Sequence, residues 1–326
     1  MPKKPILESQ TQAFLDFLET QNNPPIYTLS YTAARQALED AQAGEVAKPP
    51  ADVEDAVLPV GPSGQVSVRI YRPHGATGRL PVVMYFHGGG WVLGSKHTHD
   101  RLLRDLVNES GAAFVFVNYT PSPEAQFPVP LEEAYAATSY IAEHGEQFNL
   151  DGNRLAVAGD SAGGNMAAVV ALLAKERRGP TICNQTLLYP VTDASLSQPS
   201  YVEFADGPWL TTAAMRWFWD AYAPNPADRR KITAAPLLAT LDELTGLPPA
   251  LVIVAENDPL RDEGEAFARK LMQARVEVTA LRVLGTMHDF AMINALAQTP
   301  AARLAVELVG AKLRAALSQK GRGAGD

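Results

Sequence analysis

Cysteine is almost absent: Cys183 is the only one in 326 residues. A single thiol cannot staple the chain to itself and leaves no CxxC pair for zinc or redox chemistry, which excludes a disulfide scaffold. A reducing, cytoplasmic setting is the expectation. Long apolar runs are missing as well. The longest, such as Ala167 to Ala174, fall well short of the roughly 18 residues that a bilayer span requires, so no stable membrane insertion is expected. The N-terminal MPKKPILESQTQAFLDFLETQNN is interrupted by charges and Gln before it reaches signal-peptide length, and no export signal is expected. Basic charge is in deficit, with 28 Lys and Arg against 36 Asp and Glu for a net charge of −8. Recognition of a phosphate backbone needs a cationic surface, so nucleic acid is not an expected partner. The chain has no P-loop and no GxGxxG motif, which leaves no case for a nucleotide cofactor. It also has no internal repeat or low-complexity tract.

What remains is an ordinary globular composition, 46% hydrophobic and 20% charged, with enough length for one large α/β domain or two small ones. Residues 1 to about 50 carry helical patterning (Phe14, Phe17 and Leu18, then Ala33 to Ala41) around the turn-rich NNPPIY, and read as a small helical arm. Strand patterning follows at Gln65 to Tyr71 and Pro81 to Phe86. A strand-then-helix rhythm then sets in, with strands expected at Ala113 to Tyr119, Arg154 to Ala158, Gln185 to Tyr189, Leu251 to Ala255 and Val278 to Leu284. Helical spacing marks Pro130 to His144, Ala162 to Arg177, Asp262 to Ala274 and Pro300 to Leu317. Such alternation predicts a mostly parallel sheet covered on both faces, with its ligands at the carboxyl ends of the strands. About 60 residues between Tyr189 and Leu251 are too many for a simple crossover and read as an insertion. Its aromatic cluster of Phe204, Trp209, Trp217, Phe218, Trp219 and Tyr222 is expected to be mainly helix core. The small polar tail GRGAGD is expected to fray.

The sharpest local signal is Gly159-Asp160-Ser161-Ala162-Gly163, between the apolar LAVA and a helical stretch. Roughly 0.07 such matches arise by chance in a chain of this composition, so the strand, sharp turn and helix around it carry the weight. A serine at that corner projects its hydroxyl clear of the sheet beside a helix N-terminus, where developing negative charge is favoured. The plainer alternative is a glycine-rich turn with a serine cap. Some seventy residues earlier, PVVMYF runs into His87-Gly88-Gly89-Gly90-Trp91, where successive glycines expose backbone N–H groups suited to an oxyanion. His87 is expected to brace that loop rather than act as a base.

A serine hydroxyl needs a general base, and an imidazole needs an acid to orient it. His74, His87, His97, His99, His144 and His288 compete for the first role. His288 follows a strand in GTMHDF, at the end where ligands gather; His74 and His144 look structural. Asp258 ends the strand LVIVA in AENDPLRDEG, and the order Ser161, Asp258, His288 is nucleophile, acid, base. Asp262 and Glu263 are rivals that read better as first-turn carboxylates of the next helix. The HTHD segment, His97 to Asp100, has one HxH pair without a distant matching ligand, so no metal site is expected.

HGGGW, GDSAGGN, DPLRDEG and MHDF, in this order, resemble the bacterial hormone-sensitive-lipase family of α/β-hydrolase esterases over about Gln65 to Leu317. The resemblance implies an α/β-hydrolase fold: an eight-stranded, mostly parallel sheet, helices on both faces and a helical cap. It divides the chain into a cap arm (1–50), a catalytic core (51–190 and 246–326) and a cap insertion (191–245). It implies Ser161 as nucleophile, Asp258 and His288 as its partners, and an oxyanion hole from Gly89, Gly90 and Ala162 with Gly88 as a further contributor. Trp91, Asp160, Trp209 and Leu210 are the candidate substrate-binding residues. Phe86 stands where many relatives have Tyr, so a hydroxyl there is not essential in this chain. The implied activity is a serine carboxylesterase for short- to medium-chain esters, a small-molecule enzyme with no cofactor that forms a homodimer. A lipase for longer acyl chains is one rival. Another is a non-catalytic receptor like the plant gibberellin receptors, which lack the catalytic histidine present here as His288.

Overall fold

The computed structural model describes residues 5–318, so the GRGAGD tail lies outside the described residues. Eight strands form one sheet: β1 (Ala51–Leu58), β2 (Val66–Pro73), β3 (Leu80–Phe86), β4 (Ala113–Asn118), β5 (Leu150–Asp160), β6 (Gln185–Leu188), β7 (Ala250–Asn257) and β8 (Val278–Met287). Their order is β1-β2-β4-β3-β5-β6-β7-β8, antiparallel at the β1–β2 and β2–β4 pairs and parallel from β4 onward. The helices are α1 (Ser9–Thr20), α2 (Tyr31–Gln42), α3 (Asp100–Ser110), α4 (Val129–His144), α5 (Ala162–Glu176), α6 (Pro199–Glu203), α7 (Thr212–Tyr222), α8 (Leu241–Leu244), α9 (Arg261–Gln273) and α10 (Pro300–Ser318). Among the described residues no helix is long and apolar enough to cross a membrane.

The central strands are apolar on both faces because helices cover both. Val82 to Phe86 of β3, Ala113 to Val117 of β4 and Leu155 to Ala158 of β5 are all buried. Since β3, β5, β7 and β8 run the same way, the loops after them open at one edge of the sheet. Those loops carry HGGGW, Ser161, Asp258 and His288. Topology alone thus gathers four distant motifs.

Besides the short α6 and α8 inside the insertion, two elements escaped the sequence reading. Strand β1 is an edge strand, largely exposed and rich in acid, so no apolar alternation marks it. It pairs with β2 along its whole length, and ion pairs add to the ladder: Asp55 with Arg69 at 2.7 Å and Glu54 with Arg72 at 3.0 Å, while an Asp52 oxygen lies 2.9 Å from His74 Nδ1. Helix α3, DRLLRDLVNES, carries five charges in eleven residues, yet Arg101 and Asp105 are buried. Arg101 donates to Asp105 at 3.0 Å, to the carbonyls of Ala291 and Met292 at 2.8 and 2.7 Å, and to Asn294 Oδ1 at 3.2 Å. Those carbonyls belong to the loop that follows β8.

The N-terminal arm and the insertion pack on one another. Tyr31 stacks on Trp217 with ring centroids 5.0 Å apart, and Phe14 meets Trp209 at 5.8 Å. Helix α2 also reaches the core. Arg35 donates to the carbonyls of Val92 and Ser122 at 2.8 and 2.9 Å, while Gln42 donates to those of Thr98 and Met292 at 2.7 and 3.0 Å.

Replacing Arg101 by Met keeps the bulk but leaves the buried Asp105 with Arg303 alone, at 3.4 Å, and takes a donor from the carbonyls of Ala291 and Met292. Arg101→Met is expected to cost about 3 to 5 kcal/mol, as breaking one partner of a buried ion pair does. Urea unfolding measures this; a midpoint equal to that of the parent chain contradicts it.

Candidate active site

Ser161 occupies the turn between β5 and α5 with φ 53° and ψ −119°. That conformation is costly for a residue with a Cβ and persists only where the surroundings over-determine it. They do so here. Its N–H donates to the Leu188 carbonyl at 2.8 Å, and its carbonyl accepts from Asn165 and Val191, both at 3.1 Å. The chain can turn so sharply because a Cβ on Gly159 or Gly163 would run into backbone, that of Gly163 and of Phe86 respectively. As N-cap residue of α5, Ser161 makes no side-chain cap bond, so its hydroxyl is free for other work.

The hydroxyl lies 2.9 Å from His288 Nε2, and His288 Nδ1 lies 2.7 Å from Asp258 Oδ2. An ionised carboxylate can only accept, so Nδ1 carries the proton and Nε2 accepts from the serine. The other oxygen of Asp258 accepts from the Leu260 N–H at 2.8 Å, which fixes the carboxylate's orientation. All three residues are buried. Burial pushes the His288 pKa down, but the Asp258 and Asp289 carboxylates outweigh it and hold the pKa above its ordinary 6.5.

The glycine loop folds back on itself, with Val92 and Leu93 N–H groups donating to the Gly89 carbonyl at 3.1 and 2.8 Å. Gly89 and Gly90 sit at φ 98° and 60°, and a Cβ on Gly90 would collide with the Phe218 ring of α7. Their own N–H groups find no protein acceptor among the described residues. The Ala162 N–H, at the first turn of α5, has no carbonyl to bond within its helix.

Several expectations need correction. The Gly88 N–H already donates to Asp160 Oδ1 at 3.0 Å and is not available to an oxyanion. Asp160 is fully buried beneath the turn and faces no substrate; it also accepts from Tyr85 at 2.7 Å and pairs with His99 at 3.2 Å. Trp91 is equally buried, stacked on Tyr222 at 4.1 Å and tilted against Trp219 at 4.8 Å, so it is core rather than pocket wall. Leu210 is buried in the apolar core. Trp209 does reach the site: its Nε1 donates to Asp289 Oδ2 at 3.0 Å.

The remaining candidates fall into structural places. His87 braces the glycine loop, with Nδ1 2.8 Å from the Gly88 carbonyl and its ring stacked on Tyr119 at 4.2 Å; burial lowers its pKa to about 3. His74 pairs with Asp52 across the sheet edge, and His144 ends α4. Asp262 accepts from the Ser200 N–H at 2.8 Å and Glu263 from Thr192 at 2.6 Å, so neither rival is near the imidazole's acid position. Sequence reasoning left Asp289 unassigned, although its place next to His288 in MHDF was the available signal. It had no signal for Tyr85, Gln42 or Arg101, which act through distant contacts.

A family model described as the α/β-hydrolase fold matches residues 83–292. A solved thermostable esterase from Pseudomonas putida ECU1011 superposes with a TM-score of 0.95 at 49% identity, covering 97% of this chain and 99% of that one. Among curated proteins, the ethyl acetate hydrolase of Pseudomonas putida is 34% identical over 299 residues, 89% of this chain and 93% of its own length. The carboxylesterase NlhH of Mycobacterium tuberculosis is 40% identical over 256 residues, 77% of this chain and 79% of its own.

A base whose pKa is raised on folding stabilises the folded state in full below its unfolded value and less as pH rises. For His288 the benefit is complete below about 6.5 and disappears as pH climbs through the raised value. The melting-temperature advantage of the parent chain over His288→Asn is therefore expected to shrink from pH 6.5 upward. An advantage independent of pH by calorimetry counts against this electrostatic setting.

Proposed function

The chain belongs to the α/β-hydrolase fold family, and on that premise we propose that it is a serine carboxylesterase acting through an acyl-enzyme. The observation that carries the reading is the continuous relay from Ser161 Oγ through the imidazole of His288 to Asp258, at 2.9 and 2.7 Å. Ser161 Oγ attacks the ester carbonyl carbon while its proton passes to His288 Nε2. Asp258 holds the imidazole in the productive tautomer and stabilises the imidazolium. The carbonyl oxygen, now negative, is held by the N–H groups of Gly89, Gly90 and Ala162. Each well-aimed donor is worth about 3 to 4 kcal/mol in the transition state. As the tetrahedral intermediate collapses, the alcohol leaves with the proton from Nε2. Water then repeats the sequence, losing a proton to His288 and releasing the carboxylic acid and Ser161.

The motif order HGGGW, GDSAGGN, DPLRDEG and MHDF supports a place in the bacterial hormone-sensitive-lipase group of esterases. In this reading the arm (1–50) and the insertion (191–245) form a cap over the site, supported by the Tyr31–Trp217 and Phe14–Trp209 contacts and by Phe218 packed on Gly90. Trp209 is the cap residue next to the acyl or alcohol group. The resemblance to that group implies a preference for short and medium acyl chains. A cytoplasmic location fits the lone thiol of Cys183, and a homodimer through the edge strand β8 fits the exposed Leu284 there.

Ser161→Ala is expected to lower kcat on p-nitrophenyl butyrate by roughly 10⁴ to 10⁶ with the fold intact by circular dichroism. A fluorophosphonate should label the parent chain at Ser161, read by peptide mass spectrometry. Undiminished turnover in the variant refutes the assignment. Across a series of acyl lengths, kcat/KM should be highest at about two to eight carbons, the range that the resemblance to the hormone-sensitive-lipase esterases implies. A maximum on long-chain triglyceride emulsions means a lipase instead.

A further inference from the structure

The sequence element MHDF contributes more than its histidine. Asp289 is buried and adopts φ 64°, a left-handed conformation that aspartate tolerates better than most residues. The turn swings its carboxylate back toward the imidazole. One oxygen, Oδ2, accepts from Trp209 Nε1 at 3.0 Å. The other, Oδ1, has no hydrogen-bond partner among the described residues and stands 3.4 Å from His288 Nε2, the same nitrogen that accepts from Ser161.

We infer that Asp289 is a positioning residue for the base: it brackets His288 on the Nε2 side, opposite Asp258 on the Nδ1 side, and so governs how firmly Nε2 keeps a proton. This rests on the Ser161–His288–Asp258 reading above. In the resting enzyme the serine, at 2.9 Å, is the closer partner of Nε2. Once Nε2 has taken the serine proton, two acceptors surround the new N–H, Ser161 Oγ and Asp289 Oδ1. A carboxylate there favours the imidazolium, whether it arises during attack or by protonation from solvent. The first effect assists acylation; the second withdraws the base from use as pH falls.

The groups facing this imidazole from its neighbouring elements are few. Asp258 follows β7 and Asp160 ends β5, where it is paired with His99 from the segment before α3. Tyr189, after β6, meets the His288 ring edge-on at 5.0 Å. Arg101 of α3 lies behind the loop, bonded to the carbonyls of residues 291 and 292. Asp160 is already occupied by three donors, and Asp258 is spent on Nδ1. Asp289 is the carboxylate placed to act on Nε2. Burial holds the Asp289 pKa above the usual carboxylate range; the adjoining His288 opposes that push first, and the Trp209 indole of the insertion also favours the ionised form.

The test is the pH dependence of kcat/KM for p-nitrophenyl butyrate, from about pH 5 to about pH 10, in the parent chain and in Asp289→Asn. The expected result is an acid limb whose midpoint moves down by about one pH unit or more, whatever the height of the plateau. Asp289→Gly, which suits the positive φ, serves if the Asn variant fails to fold. The same shift should appear without turnover, in the histidine ring resonances of Ser161→Ala against Ser161→Ala/Asp289→Asn. Coincident midpoints in both measurements overturn the inference, as does an upward shift. A parent chain without esterase activity, or a Ser161→Ala variant with full activity, overturns instead the catalytic reading on which it rests.

Discussion

The turn at Ser161 is the constraint around which the molecule is arranged. A residue bearing a Cβ is held at positive φ, and every neighbour that could relax it is committed elsewhere. Its N–H donates to the Leu188 carbonyl of β6, and its carbonyl accepts from the N–H groups of Asn165 and Val191. Gly159 and Gly163 have no side chains because β3 backbone and helix α5 occupy that space. Beneath the turn, Asp160 ties the same corner to the glycine loop through Gly88 and to the floor through Tyr85. Nucleophile and glycine loop are therefore positioned by one buried carboxylate between them. Strain of this kind is tolerated because the central sheet around it is close-packed and apolar.

The catalytic half was legible because its chemistry demands unusual residues in short order. A small-residue turn between strand and helix, a run of glycines after a strand, and an aspartate and a histidine at strand ends all leave local marks. The central strands were legible for a related reason: burial on both faces makes them continuous apolar runs. Strand β1 left no such mark, since it trades apolar burial for ion pairs with Arg69 and Arg72. Helix α3 hid behind its charges, three of which turn out to be buried, and one of these, Arg101, holds the loop after β8. Trp91 and Asp160 misled in the opposite direction. They lie beside functional residues in sequence, but strand and turn geometry point their side chains inward, one into an aromatic stack and the other into a hydrogen-bonded socket.

The histidine loop is the least self-sufficient part of the site. It belongs to no helix or strand between Met287 and Asn294, and the carbonyls of Ala291 and Met292 are satisfied from outside. Arg101 holds Ala291 and Met292, while Gln42 holds Met292 and, through Oε1, the N–H of Asn294 at 2.8 Å. Trp209 holds Asp289. Thus the core, the arm and the insertion each supply one restraint to the segment carrying the imidazole. Buried polar networks of this kind order a loop only when each member finds its partners, and here most do.

Helix α2 has one further property that follows from its contacts. Arg35 grips the loop after β3 and Gln42 grips the loop after β8. These residues are separated by about two helical turns and so project from one side of the cylinder. Their common side is a matter of phase. A single codon gained or lost between them would rotate one grip by about 100° relative to the other, leaving one loop without its tether. The length of the arm between these two positions is therefore locked to the spacing of the loops it spans, whatever its outward residues are.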